Sequence, residues 1–242
     1  MESFVFLVQL RVRALFRRLF WSLGSKLALA CFWMVNQPLE ADDGPVVDFM
    51  VVYRAEARAI VGGEAGMFRR ARQTEAFANQ VFFSSGIDAR LRLTHVAEVS
   101  YVEQSVASLD RNLLSNDAEI SSLRNKYGAD LVFLVRNGTS ASASALSNPE
   151  GDDEQAYFIA GAEISSGPSA GAGFWGLCFG AGRDYDANNP GGLFEYSHAY
   201  RFVGSDGETY RTITTLNNGR TIHRFSNPDL NVLGSPIGVD SG

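Results

Sequence analysis

The chain has few of the side chains that build metal sites and covalent cross-links. Among its 242 residues there are three histidines and two cysteines. The histidines (His95, His198 and His223) are far apart in sequence, and no two have the spacing of a ligand pair. The cysteines, Cys31 and Cys178, do not make a disulfide framework. We expect Cys178 to be a buried free thiol.

The chain also lacks a basic stripe and an apolar run long enough to span a membrane. Its formal net charge is -6, which argues against a nucleic-acid partner. The apolar run at residues 27–35 is shorter than the roughly 20 residues of a bilayer span. Arginines precede this run, as in a secretory signal. We therefore predict that residues 1–41 are a signal peptide or a basic, apolar N-terminal extension, and that the protein is secreted or extracytoplasmic.

Strand and helix patterns alternate through the first half of the remaining chain. Apolar runs at residues 46–53 and 130–135 and an alternating stretch at 90–101 predict strands. Apolar residues at three- and four-residue steps predict helices at 64–83 and 106–126, the second broken near Asp117. This alternation implies an α/β domain at residues 42–242, with a mostly parallel twisted sheet and helices. His95 lies on the apolar side of its strand, where we expect a core or sheet-face histidine.

A polar stretch and one more strand follow. Residues 137–154 are rich in Ser, Ala, Asn and acids, which predicts a surface loop, and Asn137-Gly138-Thr139 is a glycosylation sequon. Residues 156–160 are apolar and predict a strand at the edge of the sheet. An edge strand can bind an extended peptide by strand addition.

The stretch at residues 171–184, GAGFWGLCFGAGRD, is glycine-rich and apolar at once. Its spacing of Gly176, Gly180 and Asp184 resembles the zinc-binding helix of the reprolysin-like (adamalysin-type) metzincin metalloproteases, H-E-x-x-H-x-x-G-x-x-H-D. The stretches VDFMVVY, ARLRLTHVAEVSY and KYGADLVFLV resemble the same family in the same order. The resemblance therefore implies a metzincin-like single domain from about residue 46 onwards.

The resemblance also implies that the zinc site has been lost. Gly173, Leu177 and Arg183 stand at the zinc-ligand positions, Phe174 stands at the catalytic glutamate, and Thr214 replaces the methionine of the Met-turn. Glycine and leucine offer no lone pair, and a guanidinium is a permanent cation. We therefore predict no zinc cofactor and a degenerate active-site helix, with Leu177 and Phe174 filling the vacated volume.

The loop after this helix has oxygen ligands at the spacing of a calcium loop. Asp184, Asp186, Asn188 and Glu195 fall at the first, third, fifth and twelfth positions. The usual glycine of such a loop is Asn189 here. The alternative is the polar loop that the family often carries at this point.

The sequence is compatible with three functions. The first is a secreted, monomeric pseudoprotease that binds a peptide or protein through the vestigial cleft. The second is an active zinc metalloendopeptidase that hydrolyses peptide bonds with ligands from elsewhere in the chain. The third is the product of a decaying gene copy without a function.

Overall fold

The computed structural model describes residues 44–144, 157–162, 173, 176–184, 192–194, 197–215 and 218–239. All of them belong to one unit, Gly44–Gly242. The predicted signal segment lies outside the described residues, as does the domain boundary predicted at residue 41. In chain order the elements are β1 (Val46–Tyr53), α1 (Ala55–Ile60), α2 (Gly63–Ser84), β2 (Arg90–Glu98), α3 (Ala107–Leu114), α4 (Ala118–Tyr127), β3 (Leu131–Arg136), β4 (Ala141–Ala143), β5 (Tyr157–Gly161), β6 (Arg201–Val203), β7 (Thr209–Arg211), β8 (Arg220–Thr221), β9 (Asn227–Val232) and β10 (Ser235–Ile237).

The main sheet has five strands in the order β2-β1-β3-β5-β4, and only β4 runs antiparallel to its neighbour. The central strands β1 and β3 are nearly continuous apolar runs because helices cover both faces of the sheet. Phe49 and Val51 of β1 pack in one apolar cluster, and Met50 and Val52 pack in a second cluster on the opposite face. The predicted α/β fold with a mostly parallel sheet and helices is therefore confirmed.

Helices α2, α3 and α4 lie within one residue of the outer bounds that the sequence predicts, whereas the short helix α1 was not predicted. Helix α2 places Met67, Ala71 and Val81 in the first apolar cluster. On the other face, the predicted break separates α3 from α4, and the Asp117 carboxylate accepts a hydrogen bond from the backbone N–H of Ile120 at 3.0 Å. This contact satisfies one of the free donors at the start of α4.

Strand β2 departs from the strict alternation that its sequence predicts. The pairing with β1 shifts between Phe49 and Met50, so that Leu93 and His95 oppose consecutive residues of β1. Thr94, the extra residue, donates its hydroxyl to the carbonyl of Phe49 at 3.1 Å. His95 is half-buried, as expected for a sheet-face histidine, and its ring stacks on Tyr127 with ring centroids 3.6 Å apart.

The predictions for the loop and the edge strand are corrected by β4. This strand lies within residues 137–154, which were predicted to be loop, and it pairs antiparallel with β5. Among the described residues β4, and not the strand predicted at 156–160, is therefore the outer strand on that side of the sheet, opposite β2. Three residues of sequence Ala-Ser-Ala carry too little apolar alternation to signal a strand.

The C-terminal part forms two small sheets, β6-β7-β8 and the β9-β10 hairpin, around Phe202, Tyr210 and Ile237. Across the described residues, no helix is both long and apolar enough to cross a membrane.

The cap of α4 gives a direct test of this fold. We expect Asp117→Ala to lower the free energy of unfolding by about 1 kcal/mol, because it removes the side-chain acceptor at the helix start. The control Asn116→Ala changes an exposed side chain one residue earlier and should stay within about 0.5 kcal/mol of the unmodified chain. Urea unfolding measures both. Equal effects would contradict the capping contact.

Candidate functional site

The candidate site lies where a short glycine-rich helix meets a distant turn. Gly173 and residues 176–178 are helical, and Gly180 ends the helix with φ +82°. The N–H of Gly180 donates to the carbonyl of Leu177 and that of Ala181 to the carbonyl of Gly176, both at 3.0 Å. This pair of bonds is a Schellman motif, in which the left-handed position favours glycine. Gly180 thus ends the helix and turns the chain toward Arg183.

The helix packs against the sheet and α2 through its apolar residues. Leu177 and Phe179 are partly buried against the first apolar cluster, which includes Cys178. The Phe179 ring meets the ring of Phe82 on α2, with centroids 5.8 Å apart. Leu177, which stands at a position that the resemblance aligns with a zinc ligand, therefore packs against the apolar core. Phe174, predicted to fill the rest of the former site, lies outside the described residues.

Two glycines bring this helix close to the turn at Ile213 and Thr214. A Cβ atom added to Gly173 would lie 2.8 Å from the carbonyl oxygen of Ile213. One added to Gly176 would lie 2.6 Å from the ring of Phe225 and 3.0 Å from Cγ2 of Thr214. The shortest distance at each glycine is far below ordinary van der Waals contact. A side chain at Gly173 would require the turn to move, and one at Gly176 would require the Phe225 ring to move.

Arg183 joins the end of the helix to the same turn. Its Nη1 donates to the carbonyl oxygen of Thr214 at 3.0 Å and lies 3.8 Å from the site of a Cβ on Gly173. Burial lowers the pKa of the Arg183 guanidinium, and the neighbouring Asp184 partly offsets this. The structure therefore brings together Gly173, Arg183 and Thr214, although Thr214 is distant from the other two in sequence.

Backbone hydrogen bonds fix the position of the segment that follows the glycine-rich helix. Asp184 forms a parallel bridge with Ala199, and the N–H of Ala199 donates to the carbonyl of Arg183 at 3.1 Å. The predicted calcium loop starts at this half-buried Asp184. Its other three predicted ligands (Asp186, Asn188 and Glu195) lie outside the described residues, so the calcium loop stays a prediction.

Cys178 is the buried free thiol expected from the sequence. The residue is 7% exposed, and Sγ lies 3.6 Å from the carbonyl oxygen of Tyr157, to which it donates. Burial raises the pKa of the Cys178 thiol to about 12. A thiol with so little thiolate at neutral pH is a poor nucleophile.

The residues at the three positions that the resemblance aligns with zinc ligands lack the groups that bind zinc. Zinc needs nitrogen, sulfur or oxygen lone pairs. Gly173 and Leu177 supply none, and the Arg183 guanidinium is a donor without acceptor capacity. Within the described ranges, no three side chains of His, Cys, Asp or Glu gather where they could share a metal.

A second polar cluster, which the sequence did not predict, lies at the carboxyl edge of the sheet. Arg136, the last residue of β3, is 6% exposed and sits 3.3 Å from the fully buried carboxylate of Asp110. Asp110 also accepts hydrogen bonds from the hydroxyl of Tyr101 at 3.0 Å and the N–H of Gln104 at 2.7 Å. The arginine that closes an otherwise apolar run was the only sequence signal for this cluster.

Comparison with known proteins relates part of this chain to a metallopeptidase. No family model matches the chain. A stretch of 92 residues, 37% of this chain, is 38% identical to the peptidyl-Asp metalloendopeptidase of Pseudomonas aeruginosa and covers 15% of that protein. The chain therefore spans a small fraction of the length of this relative.

Similarity to solved structures bears on the fold alone, because the sequence identities are low. A chain from the structure of a chaperone-substrate complex superposes with a TM-score of 0.67 at 16% identity, over 82% of this chain and 33% of that chain. Metalloproteinase-II from Bacteroides fragilis gives a TM-score of 0.40 at 16% identity, over 62% of this chain and 46% of that chain.

The contact between Gly173 and Ile213 predicts that even a methyl group is costly at this position. We expect Gly173→Ala to lower the free energy of unfolding by about 1–3 kcal/mol, the usual cost of overpacking. The exposed helix residue Ala118 provides a control, because Ala118→Ser adds one atom facing solvent. Urea unfolding measures both variants. A neutral or stabilising Gly173→Ala would show that the helix and the turn are not in close contact.

The burial of Cys178 predicts a thiol that is protected in the folded protein. In a Cys31→Ser variant, we expect Cys178 to react with a thiol-specific disulfide reagent far more slowly in buffer than in urea, because the folded state shields a largely protonated sulfur. Fast labelling of the folded variant at neutral pH would contradict the placement of this helix against β5.

Proposed function

We propose that this chain is a catalytically inactive relative of secreted, reprolysin-like zinc metalloendopeptidases. It would bind a peptide or protein through the vestigial cleft. The observation that carries the proposal is the contact of Arg183 with Thr214 beside Gly173. Under the resemblance, these three residues stand at the third zinc ligand, the Met-turn methionine and the first zinc ligand. They lie together as parts of one site would, but with the metal-binding chemistry replaced.

A guanidinium at this point opposes metal binding in two ways. It offers no lone pair, and its positive charge repels a divalent cation. Without a metal, a water molecule at the site keeps a pKa of roughly 15.7 in place of the roughly 7 that zinc confers. The proposed site therefore has no means of producing hydroxide at neutral pH.

The arginine also offers a structural substitute for the lost metal. In a zinc site the metal links the helix to the segment that follows it. In this chain the hydrogen bond from Arg183 Nη1 to the Thr214 carbonyl links the segment after the helix to the turn below. A charge-assisted hydrogen bond in a partly buried place contributes more to stability than one between neutral groups.

An active zinc metalloendopeptidase remains the second candidate, because the sequence match is to a metalloendopeptidase. It would require ligands other than Gly173, Leu177 and Arg183. An assay with fluorescein-labelled casein and the full chain loaded with zinc distinguishes the two candidates. We expect no release of labelled peptides above that of a chelator-treated sample. Chelator-sensitive hydrolysis that persists through repeated purification would overturn the proposal.

For peptide binding, the outer edge of β4 is the surface we propose. The N–H of Ser144 donates to the carbonyl of Tyr157 on β5 at 2.9 Å. Because backbone groups alternate along a strand, the N–H groups of Ala141 and Ala143 point away from β5. The outward carbonyl of Ala143 accepts a hydrogen bond from Nη1 of Arg111 at 3.2 Å. The donor at Ala141 is the group that an added strand would use.

A pair of proline variants tests this edge. We expect Ala141→Pro to keep the fold and to weaken binding of unfolded, labelled casein several-fold, because proline removes only an outward donor. Ser142→Pro is the matched comparison, since it removes an N–H that points toward β5 and should destabilise the sheet. Fluorescence anisotropy measures binding and circular dichroism measures folding. Unchanged casein binding by folded Ala141→Pro would exclude strand addition at β4.

A further inference from the structure

An open cavity of about 320 Å³ lies beyond the carboxyl ends of β1 and β3. The charged residues that line it are Arg54 and Glu56, which follow β1, together with Glu103 and Arg136. This volume is at the small end of the range for ligand sites, so the cavity suits a small molecule. None of its lining residues belongs to the glycine-rich helix. Its function therefore does not depend on the proposed pseudoprotease role.

The cavity lies at the switch point of the sheet topology. From β1 the chain crosses to β2 on one side, and it later returns to β3 on the other side of β1. The two crossovers therefore diverge at the carboxyl ends of β1 and β3 and leave a crevice between their loops. Ligands of open α/β sheets bind in crevices of this kind.

The inner wall of the cavity is rigid and charged. Nη2 of Arg136 donates to the carbonyl of Gln104 at 2.7 Å, and Nη1 donates to the hydroxyl of Ser140 at 3.0 Å. Glu103 accepts the backbone N–H of Asn137 at 3.0 Å. These contacts fix a guanidinium and a carboxylate side by side before any ligand arrives.

Arg136 and Glu103 lie close together without a hydrogen bond between them. Oε2 of Glu103 lies 3.9 Å from Nε of Arg136, and this buried Nε has no hydrogen-bond partner. Burial raises the pKa of the Glu103 carboxyl, although the N–H of Asn137 and the charge of Arg136 partly offset this. A second cation beside Glu103 would favour its charged form.

At the mouth of the cavity a positively charged side chain again lies beside a negatively charged one. Nη2 of Arg54 lies 3.1 Å from Oε1 of Glu56, and both side chains are partly open to solvent. The four charges of the lining sum to zero, and the buried carboxylate of Asp110 lies behind them, 3.3 Å from Nη1 of Arg136. A ligand with a single charge would meet a repelling group beside each attracting one. A ligand with both charges a short distance apart can pair with a guanidinium and a carboxylate at once.

We propose that this switch-point cavity binds a free α-amino acid as a zwitterion. The carboxylate of the ligand pairs with the guanidinium of Arg54, and its ammonium group pairs with the carboxylates of Glu103 and Glu56. The side chain of the ligand extends toward the open mouth, where the described residues set no deep apolar pocket for it. The cavity therefore discriminates little among amino acids, and the α-ammonium and α-carboxylate groups of the ligand supply most of the affinity.

The test is a titration of the full chain with single free amino acids, followed by amide chemical shifts in NMR spectra. We expect saturable shifts at Gln104, Asn137 and Gly138, with affinities in the millimolar range or tighter. Butylamine and butyrate, which carry one charge each, should shift these amides far less. Absence of saturable shifts for every amino acid, or equal shifts from the singly charged probes, would overturn the proposal.

Two surface variants locate the site. Arg54→Gln and Glu56→Gln change partly exposed side chains, so they should leave the fold intact while weakening amino-acid binding by roughly tenfold. The matched control is Arg58→Gln on α1, since Arg58 pairs with Glu98 at 2.9 Å and does not line the cavity. Equal binding by all three variants would place the ligand elsewhere and overturn the assignment.

Discussion

The contact between the glycine-rich helix and the turn at Ile213 and Thr214 is the constraint on which the candidate site depends. It exists only because Gly173 and Gly176 have no side chains, since a Cβ atom at either position would collide with the turn or with Phe225. The same glycines weaken the helix by roughly 0.5–1 kcal/mol each relative to alanine. The tight packing against the sheet, with Cys178 and the Phe179 ring, offsets that intrinsic weakness.

The sheet supplies the fixed frame for this contact. Helix α2 crosses one face of the sheet, and Arg70 on that helix donates to the carbonyls of Gly161 and Ala162 at the end of β5. The short helix then lies against α2 and β5, and Arg183 extends from its end to the turn. A half-buried guanidinium is tolerated there because it is hydrogen-bonded and has Asp184 beside it. The result is a stable packing arrangement at a place where the resemblance expects a metal.

Local patterns were sufficient to predict most of the sheet and its helices. The apolar runs of β1 and β3 and the Asp117 cap of α4 each carry a strong signal in a few residues. Strand β4 was missed because Ala141–Ala143 has no apolar pattern of its own and exists through its pairing with β5. The shift in β2 at Thr94 was missed because its sequence alternates without interruption.

The site was predictable only in part. The residues at the motif positions follow from the sequence, but the meeting of Arg183 with Thr214 depends on the whole chain between them. The cluster of Arg136 and Asp110 depends likewise on how α3 packs against β4 and β5, which places Asp110 beside the end of β3. The measurement that tests the central claim most directly is the zinc content of the purified full chain after zinc loading and desalting, by elemental mass spectrometry. The account predicts a ratio near zero zinc per chain, and stoichiometric zinc would contradict it.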